Sequence, residues 1–265
     1  MSLRSRIVWT TCGATLSIAL PVIGIWMAAR YETFRMEIVP LHTWMETLGG
    51  VLAVLIAGIL VVEHYTDGKR RGYLIWAATG FAAMGVLDVL HAVVEPNNTT
   101  IWLHSVAVLL GGLAFALVWA GSNWMPKSAR ILIPCLATAF AFCLGVGSYL
   151  FPTLVPQVSE NLKFGPAVIR LNQFGGLGFA VAAVFFVRRF HRQYDVTDWL
   201  FAVQTTLFAA VSLLVVYSNY WDLTWWWWHV LRVLAYVAAF LVAVRSFLGV
   251  EKKLLQVNRK LRDVN

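Results

Sequence analysis

Residues 73–94 read YLIWAATGFAAMGVLDVLHAVV, a run whose only ionisable groups besides Tyr73 are Asp88 and His91. At about 1.5 Å per residue, a helix of this length covers about 33 Å, enough to cross a hydrocarbon core of about 30 Å. Seven more segments meet the same test, at 8–28, 41–62, 101–123, 131–151, 166–187, 199–220 and 226–248. Backbone groups in lipid must be satisfied within the segment, so continuously apolar runs of this kind are helices. The alternating pattern of a membrane β-barrel is absent. The expected fold is all-α, a polytopic membrane bundle of eight helices.

Composition agrees. The 265 residues are 60% apolar, 14% aromatic and 13% charged, with a mean hydropathy of +0.71. Soluble domains average about 45–50% apolar and about 25% charged residues. A net charge of +8 raises the question of nucleic acid, but the charges fall in short clusters between apolar runs. No basic stripe is interleaved with aromatics, so no nucleic-acid partner is expected. Cys12, Cys135 and Cys143 lie in apolar runs without CxxC spacing and read as small apolar fillers.

Lysine and arginine set the orientation. One set of connections carries Arg4, Arg6, Lys69, Arg70, Arg71, Lys127, Arg130, Arg188, Arg189, Arg192 and the basic tail; the other carries only Arg30, Arg35 and Lys163. Both termini are therefore expected in the cytoplasm. A signal-peptide reading of the first segment fails on its long apolar run and the poor cleavage site at Ala28-Ala29. Asn97-Asn98-Thr99-Thr100 holds two overlapping glycosylation sequons, which matter only in a eukaryotic secretory pathway. Trp221 and Trp225 to Trp228 read as an interfacial aromatic belt, or as a wall over a ligand site. The glycine pairs 49–50, 111–112 and 175–176 read as close helix approaches.

The tail is periodic. Val250, Leu254, Val257, Leu261 and Val264 repeat at spacings of 4, 3, 4 and 3, an a/d seam continuing the eighth helix into the cytoplasm. It reads as a dimer connector, and 249–265 as the start of an output region following a membrane domain at 1–248.

Ionisable groups inside spanning helices are expensive and mark candidate sites. Assigned by depth, His42 and Glu46, Asp88 and His91, His104, Arg170 with Asn172 and Gln173, Ser218 with Asn219, and His229 with Arg232 all fall in the outer leaflet. His64 and His191 read as ordinary residues of cytoplasmic loops. Imidazole with carboxylate at i,i+3 and i,i+4 suits zinc, copper or iron, with some groups orienting the ligands. The same histidines can hold haem b between facing helices. A third reading needs no cofactor: Glu46 and Asp88 pair with Arg170 and Arg232 as a buried ion network.

Leu41-His42-Thr43-Trp44-Met45-Glu46 resembles the "LHxxxE" start of bacterial membrane-associated sensor (MASE-type) domains. Gly85-Val86-Leu87-Asp88-Val89-Leu90-His91 resembles the family's "GxLDxLH". Trp228-His229-Val230-Leu231-Arg232 is similar to its "H-x-x-K", with Arg in place of Lys. The family's Lys-Gly motif after the Asp–His patch is replaced by Ala92-Val93-Val94-Glu95-Pro96-Asn97. The resemblance implies a non-catalytic input module in the bacterial inner membrane, ahead of a two-component histidine kinase, PAS or diguanylate cyclase output domain. Zinc-dependent membrane hydrolases of the alkaline ceramidase and adiponectin-receptor type are a second likeness. Their late-helix HxxxH is absent here, since Trp225 and Val233 flank His229 at four residues.

The resulting expectation is a sensor binding a metal ion or small ligand through His42, Glu46, Asp88, His91, His104 and His229, supported by Arg170, Asn172, Asn219, Arg232 and Trp228. It works in the lipid bilayer as a homodimer and signals through helix eight to a downstream cytoplasmic domain. The alternatives are a zinc-dependent membrane hydrolase and a haem- or quinone-binding redox protein.

Overall fold

Where a helix begins and ends in this chain follows from local chemistry. Asn97 caps its helix by accepting from Thr99 N–H at 2.8 Å and Thr100 N–H at 3.1 Å, while its own backbone N–H donates to the Thr100 hydroxyl oxygen at 3.2 Å. Asn98 is also engaged, donating to the Pro156 carbonyl and accepting from Val158 N–H. The two asparagines of the sequons are thus built into a helix start. Asp195 caps another helix through Thr197 N–H, and Pro166 opens a third.

The computed structural model describes residues 3–66, 71–93, 97–160 and 163–264, and is helical nearly throughout. The helices are α1 (Leu3–Arg30), α2 (Val39–Thr66), α3 (Tyr73–Val93), α4 (Asn98–Ala116), α5 (Lys127–Leu150), α6 (Pro166–Gln193), α7 (Val196–Leu214) and α8 (Leu223–Val264). Each contains a stretch long and apolar enough to cross a membrane. The expected eight-helix membrane bundle is what forms. Ser159–Glu160 and Lys163–Phe164 add a two-rung antiparallel ladder between α5 and α6.

The packing is a closed ring of six helices with two outriders. α3 packs on α2 and α4, α4 on α6, α6 on α7, and α8 closes the ring against both α7 and α2. α5 lies outside against α3, and α1 outside against α7 and α8. The apolar window of α3 is 78% buried, whereas that of α1 is 11% buried; α3 is central and α1 faces lipid. Phe81, Phe115, Phe179, Phe186, Phe208 and Tyr236 fill the ring interior. Cys12, Cys135 and Cys143 sit on the exposed apolar faces of α1 and α5.

All three glycine pairs lie at close backbone crossings. A Cβ on Gly50 would stand 2.7 Å from the Gly85 carbonyl oxygen, and Gly112 lies directly against the backbone of Gly175. These contacts bring α2 onto α3 and α4 onto α6 more closely than side chains permit.

α8 runs unbroken from Leu223 to Val264, so the tail does continue the last helix. The side chains of the expected seam, Val250, Leu254, Val257, Leu261 and Val264, lie outside the described residues. His64 and His191 are helical and not in loops: His64 is buried in α2, and His191 is exposed near the end of α6.

The crossings predict unequal costs for one substitution. Gly85→Ala puts a methyl 2.6 Å from the Gly50 carbonyl and should destabilise the detergent-solubilised protein by about 1–3 kcal/mol. Gly58 has nothing within 4 Å of its Cβ position, so Gly58→Ala should be neutral or stabilising by up to about 1 kcal/mol. Thermal unfolding of both variants checks the contrast.

Candidate metal centre

The site lies at the end of the ring where α2, α4, α6 and α8 begin. His42 and Glu46 are one turn apart on α2, Asp88 and His91 on α3, and His229 and Arg232 on α8, with His104 one turn and a half into α4. All seven side chains are buried, Asp88 completely. A helical spacing of three or four residues puts both members of each pair on one face, and closure of the ring aims those faces at one another.

Two groups result. In the first, His42, Glu46 and His91 present ligand atoms that all lie within 4.8 Å of one another. His42 Nε2 and His91 Nε2 are 3.2 Å apart. His91 Nδ1 lies 2.7 Å from the Thr100 carbonyl, which can only accept, so Nδ1 carries the hydrogen and Nε2 offers a lone pair in the neutral ring. His229 is fixed the same way, with Nδ1 2.7 Å from the Trp225 carbonyl. Its Nε2 lies 3.1 Å from Glu46 Oε1 without the direction of a hydrogen bond. His229 thus stands beside Glu46, outside the set of three whose ligand atoms lie within 4.8 Å of one another. Holding one ring nitrogen on a carbonyl so that the other faces inward is how proteins orient histidine ligands.

The spacings fit an ion. With zinc–nitrogen bonds of about 2.0–2.1 Å, adjacent ligands of a tetrahedron are about 3.3 Å apart. The His42–His91 and His229–Glu46 separations both match that edge.

The second group centres on Arg232. Its guanidinium donates to both carboxylate oxygens of Asp88, at 2.6 Å to Oδ1, and to His104 Nδ1 at 2.7 Å. It also stands 4.0 Å from Glu46 Oε2. Tyr236, one turn further along α8, donates its hydroxyl to Asp88 Oδ2 at 3.0 Å. Glu46, Asp88 and His104 also lie close enough to form a ligand set. Asp88 and His104 are already committed to a guanidinium, which repels a cation, so the first group is the better metal site.

Aromatics wall the histidines in. Trp221, Trp225, Trp226 and Trp228 are all buried, so these four form a wall and not an interfacial belt. Trp228 stacks on His229 with centroids 3.9 Å apart and 22° between planes, and Trp225 packs against both His229 and His42. Trp221 takes a left-handed backbone conformation, φ 66°, rare for a bulky residue. Its carbonyl accepts from Met36 N–H at 3.0 Å and its ring meets His42 edge-on. Asp222 then starts α8 by accepting from Trp225 N–H at 2.6 Å and Asn219 N–H at 2.6 Å.

A cavity of about 20 Å³ adjoins the cluster, lined by His91, His104, Ser105, Asn172, Tyr220 and His229 together with apolar and tryptophan side chains. The space admits about one water molecule and no porphyrin or quinone ring.

Of the expected supporting residues, Asn172 and Trp228 line this cavity and Arg232 anchors the second group. Arg170 is exposed on α6, so the ion network with Glu46 and Asp88 forms through Arg232 without it. Asn219 shapes the turn before α8 through Asp222 and does not reach the cluster. Tyr236, Tyr220 and Ser105 belong to the site and were not foreseen from the sequence. The one available signal for Tyr236 is its place seven residues after His229, on the same helical face.

Buried charge also gathers at the opposite end. Arg71 bridges Glu63 at 3.1 Å and Asp195 at 3.0 Å, and Ser246 of α8 donates to Glu63 at 2.8 Å. Arg189 pairs with Asp198 at 3.1 Å and lies over the Tyr73 ring.

No model of a known protein family matches the sequence, and no curated protein matches it.

The Arg232 contacts carry a stability prediction. Arg232→Met leaves Asp88 buried and uncompensated, at a cost of about 3–5 kcal/mol. Adding Asp88→Asn removes that orphaned charge and should recover part of the loss. Thermal unfolding of the single and double variants measures the coupling; strictly additive losses would deny it.

Proposed function

We propose that this chain is the membrane-embedded input domain of a bacterial signalling protein of the MASE type, and that its ligand is a transition-metal ion held by His42, Glu46, His91 and His229. One observation carries the metal reading. His42, Glu46 and His91 present ligand atoms that all lie within 4.8 Å of one another, and His91, with Nδ1 bonded to the Thr100 carbonyl, turns its Nε2 lone pair inward, 3.2 Å from His42 Nε2. The charge inventory points the same way: with neutral rings, Glu46 and Asp88 outnumber Arg232 by one negative charge. Imidazole and carboxylate together favour zinc, copper or iron over harder cations.

Signalling enters through α8. This helix brings His229 and Arg232 to the site, Ser246 to the opposite end, and then continues to Val264. An ion that engages Glu46 and His229 competes with Arg232 for Glu46 and shifts the balance of contacts between α2 and α8. Such a change is transmitted only if the two states differ in affinity for the ion. In this reading the site end faces the periplasm, the basic connections and both termini are cytoplasmic, and two chains pair along the tail ahead of an output domain such as a histidine kinase or diguanylate cyclase.

The direct test is elemental analysis of detergent-purified protein incubated with zinc, copper or iron and then desalted. About one ion per chain is expected, falling below about a tenth of that in His42→Ala and His91→Ala, since each loses one of few ligands. Arg170→Ala, at an exposed position, should keep its ion. Metal content at background in the unaltered protein, or unchanged by both histidine substitutions, rules the centre out.

The connector is tested separately in a longer chain bearing an output domain. Deleting one residue among 251–253 turns everything beyond by about 100° and should reset output activity. Equal activity and equal response to the metal with and without the deletion would count against transmission through α8.

A further inference from the structure

The cavity beside the histidines holds a chemical demand that the metal ligands leave unmet. Asn172 is 1% exposed, and its amide orientation is fixed because Nδ2 donates to the Val168 carbonyl at 2.9 Å and to Ser105 Oγ at 3.1 Å. Ser105 in turn donates to the Ile101 carbonyl at 2.8 Å. The Asn172 Oδ1 atom is therefore a committed acceptor, buried, with no protein donor. The Tyr220 hydroxyl, also buried, has no partner either. Both residues line the 20 Å³ cavity, and so do His91 and His229. An unmet buried acceptor costs about 1–3 kcal/mol, which a matching molecule in the cavity recovers.

We propose that this cavity is an exchangeable ligand position of the metal centre, selective for a molecule of one heavy atom that still carries hydrogens when bound: water, replaceable by ammonia. Size sets the upper limit, since the space admits about one water. Asn172 Oδ1 sets the polarity, since it rewards a ligand that donates and opposes an anion presenting only lone pairs. Tyr220 completes the shell, donating to a water or accepting from an ammonia N–H. The inference rests on the metal reading above, because the ion supplies the remaining bond.

Cobalt(II) is the probe. The purified protein, loaded with one equivalent of cobalt, is titrated at pH 9 with ammonium chloride, with sodium chloride and sodium azide as controls, while the visible ligand-field bands are followed. The ammonium titration should shift the bands saturably, and azide should shift them at least about tenfold less effectively. Asn172→Leu should bind cobalt equally and weaken the ammonia response by about tenfold, the equivalent of one lost hydrogen bond. Tyr220→Phe, which removes only a hydroxyl, provides the same comparison if Asn172→Leu does not fold. Failure of the unaltered protein to bind cobalt overturns the metal reading and this inference with it. Bound cobalt with bands indifferent to ammonia, equally responsive to azide, or equally responsive in the folded variant overturns this inference alone.

Discussion

A guanidinium inside an apolar bundle is tolerable only where charge and hydrogen bonds meet it on every side. Arg232 meets that condition by gripping both oxygens of Asp88, donating to His104 and lying near Glu46. Those partners come from α3, α4 and α2, so this one side chain on α8 fixes the approach of three other helices. Tyr236 braces Asp88 from the next turn of the same helix. Because Asp88 sits one turn from His91, and Glu46 one turn from His42, the Arg232 contacts also place the histidines that face each other. The two groups of the site are therefore one construction: an ion network that positions helices, and a candidate ligand set carried along with it.

The same helix joins the two ends of the bundle. At the site end α8 supplies His229, Arg232 and Tyr236; at the other end Ser246 meets Glu63, which is bound in turn by Arg71. Arg71 extends the contact to Asp195 at the turn between α6 and α7. Both ends of the α2–α8 contact thus depend on buried carboxylates, while the middle is apolar and packed around Tyr236 and Phe81. An interface with polar contacts at each end and close packing between them favours discrete rearrangements over gradual bending.

Much of this is legible in the sequence because hydropathy and helical spacing act at the scale of single turns. The runs at 41–62 and 73–94 find α2 and α3 almost to their ends, and the spacings of His42 with Glu46 and Asp88 with His91 put each pair on one face. Depth does not specify which face, and there the sequence misleads. Arg170 and Asn172 share a depth, yet two residues turn a helix by about 200°: Asn172 faces the cavity and Arg170 the outside. Glu63 and Asp198 fall one residue beyond the apolar windows 41–62 and 199–220, so their burial escapes a hydropathy reading. The tryptophan run has the composition of an interfacial belt; its role as a wall depends on the turn set by Asp222 and Trp221, a tertiary feature.

The central claim is that His42, His91, His229 and Glu46 meet around a single ion. X-ray absorption fine structure of the zinc-loaded, detergent-purified protein reads this directly, since imidazole rings leave a distinctive outer-shell scattering pattern. The account predicts a shell of nitrogen and oxygen at about 2.0–2.1 Å with two or three imidazoles, unchanged in Arg170→Ala and lost together with the bound zinc in His91→Ala. An oxygen-only shell without imidazole scattering, or the same bound-zinc spectrum from His91→Ala, would contradict it.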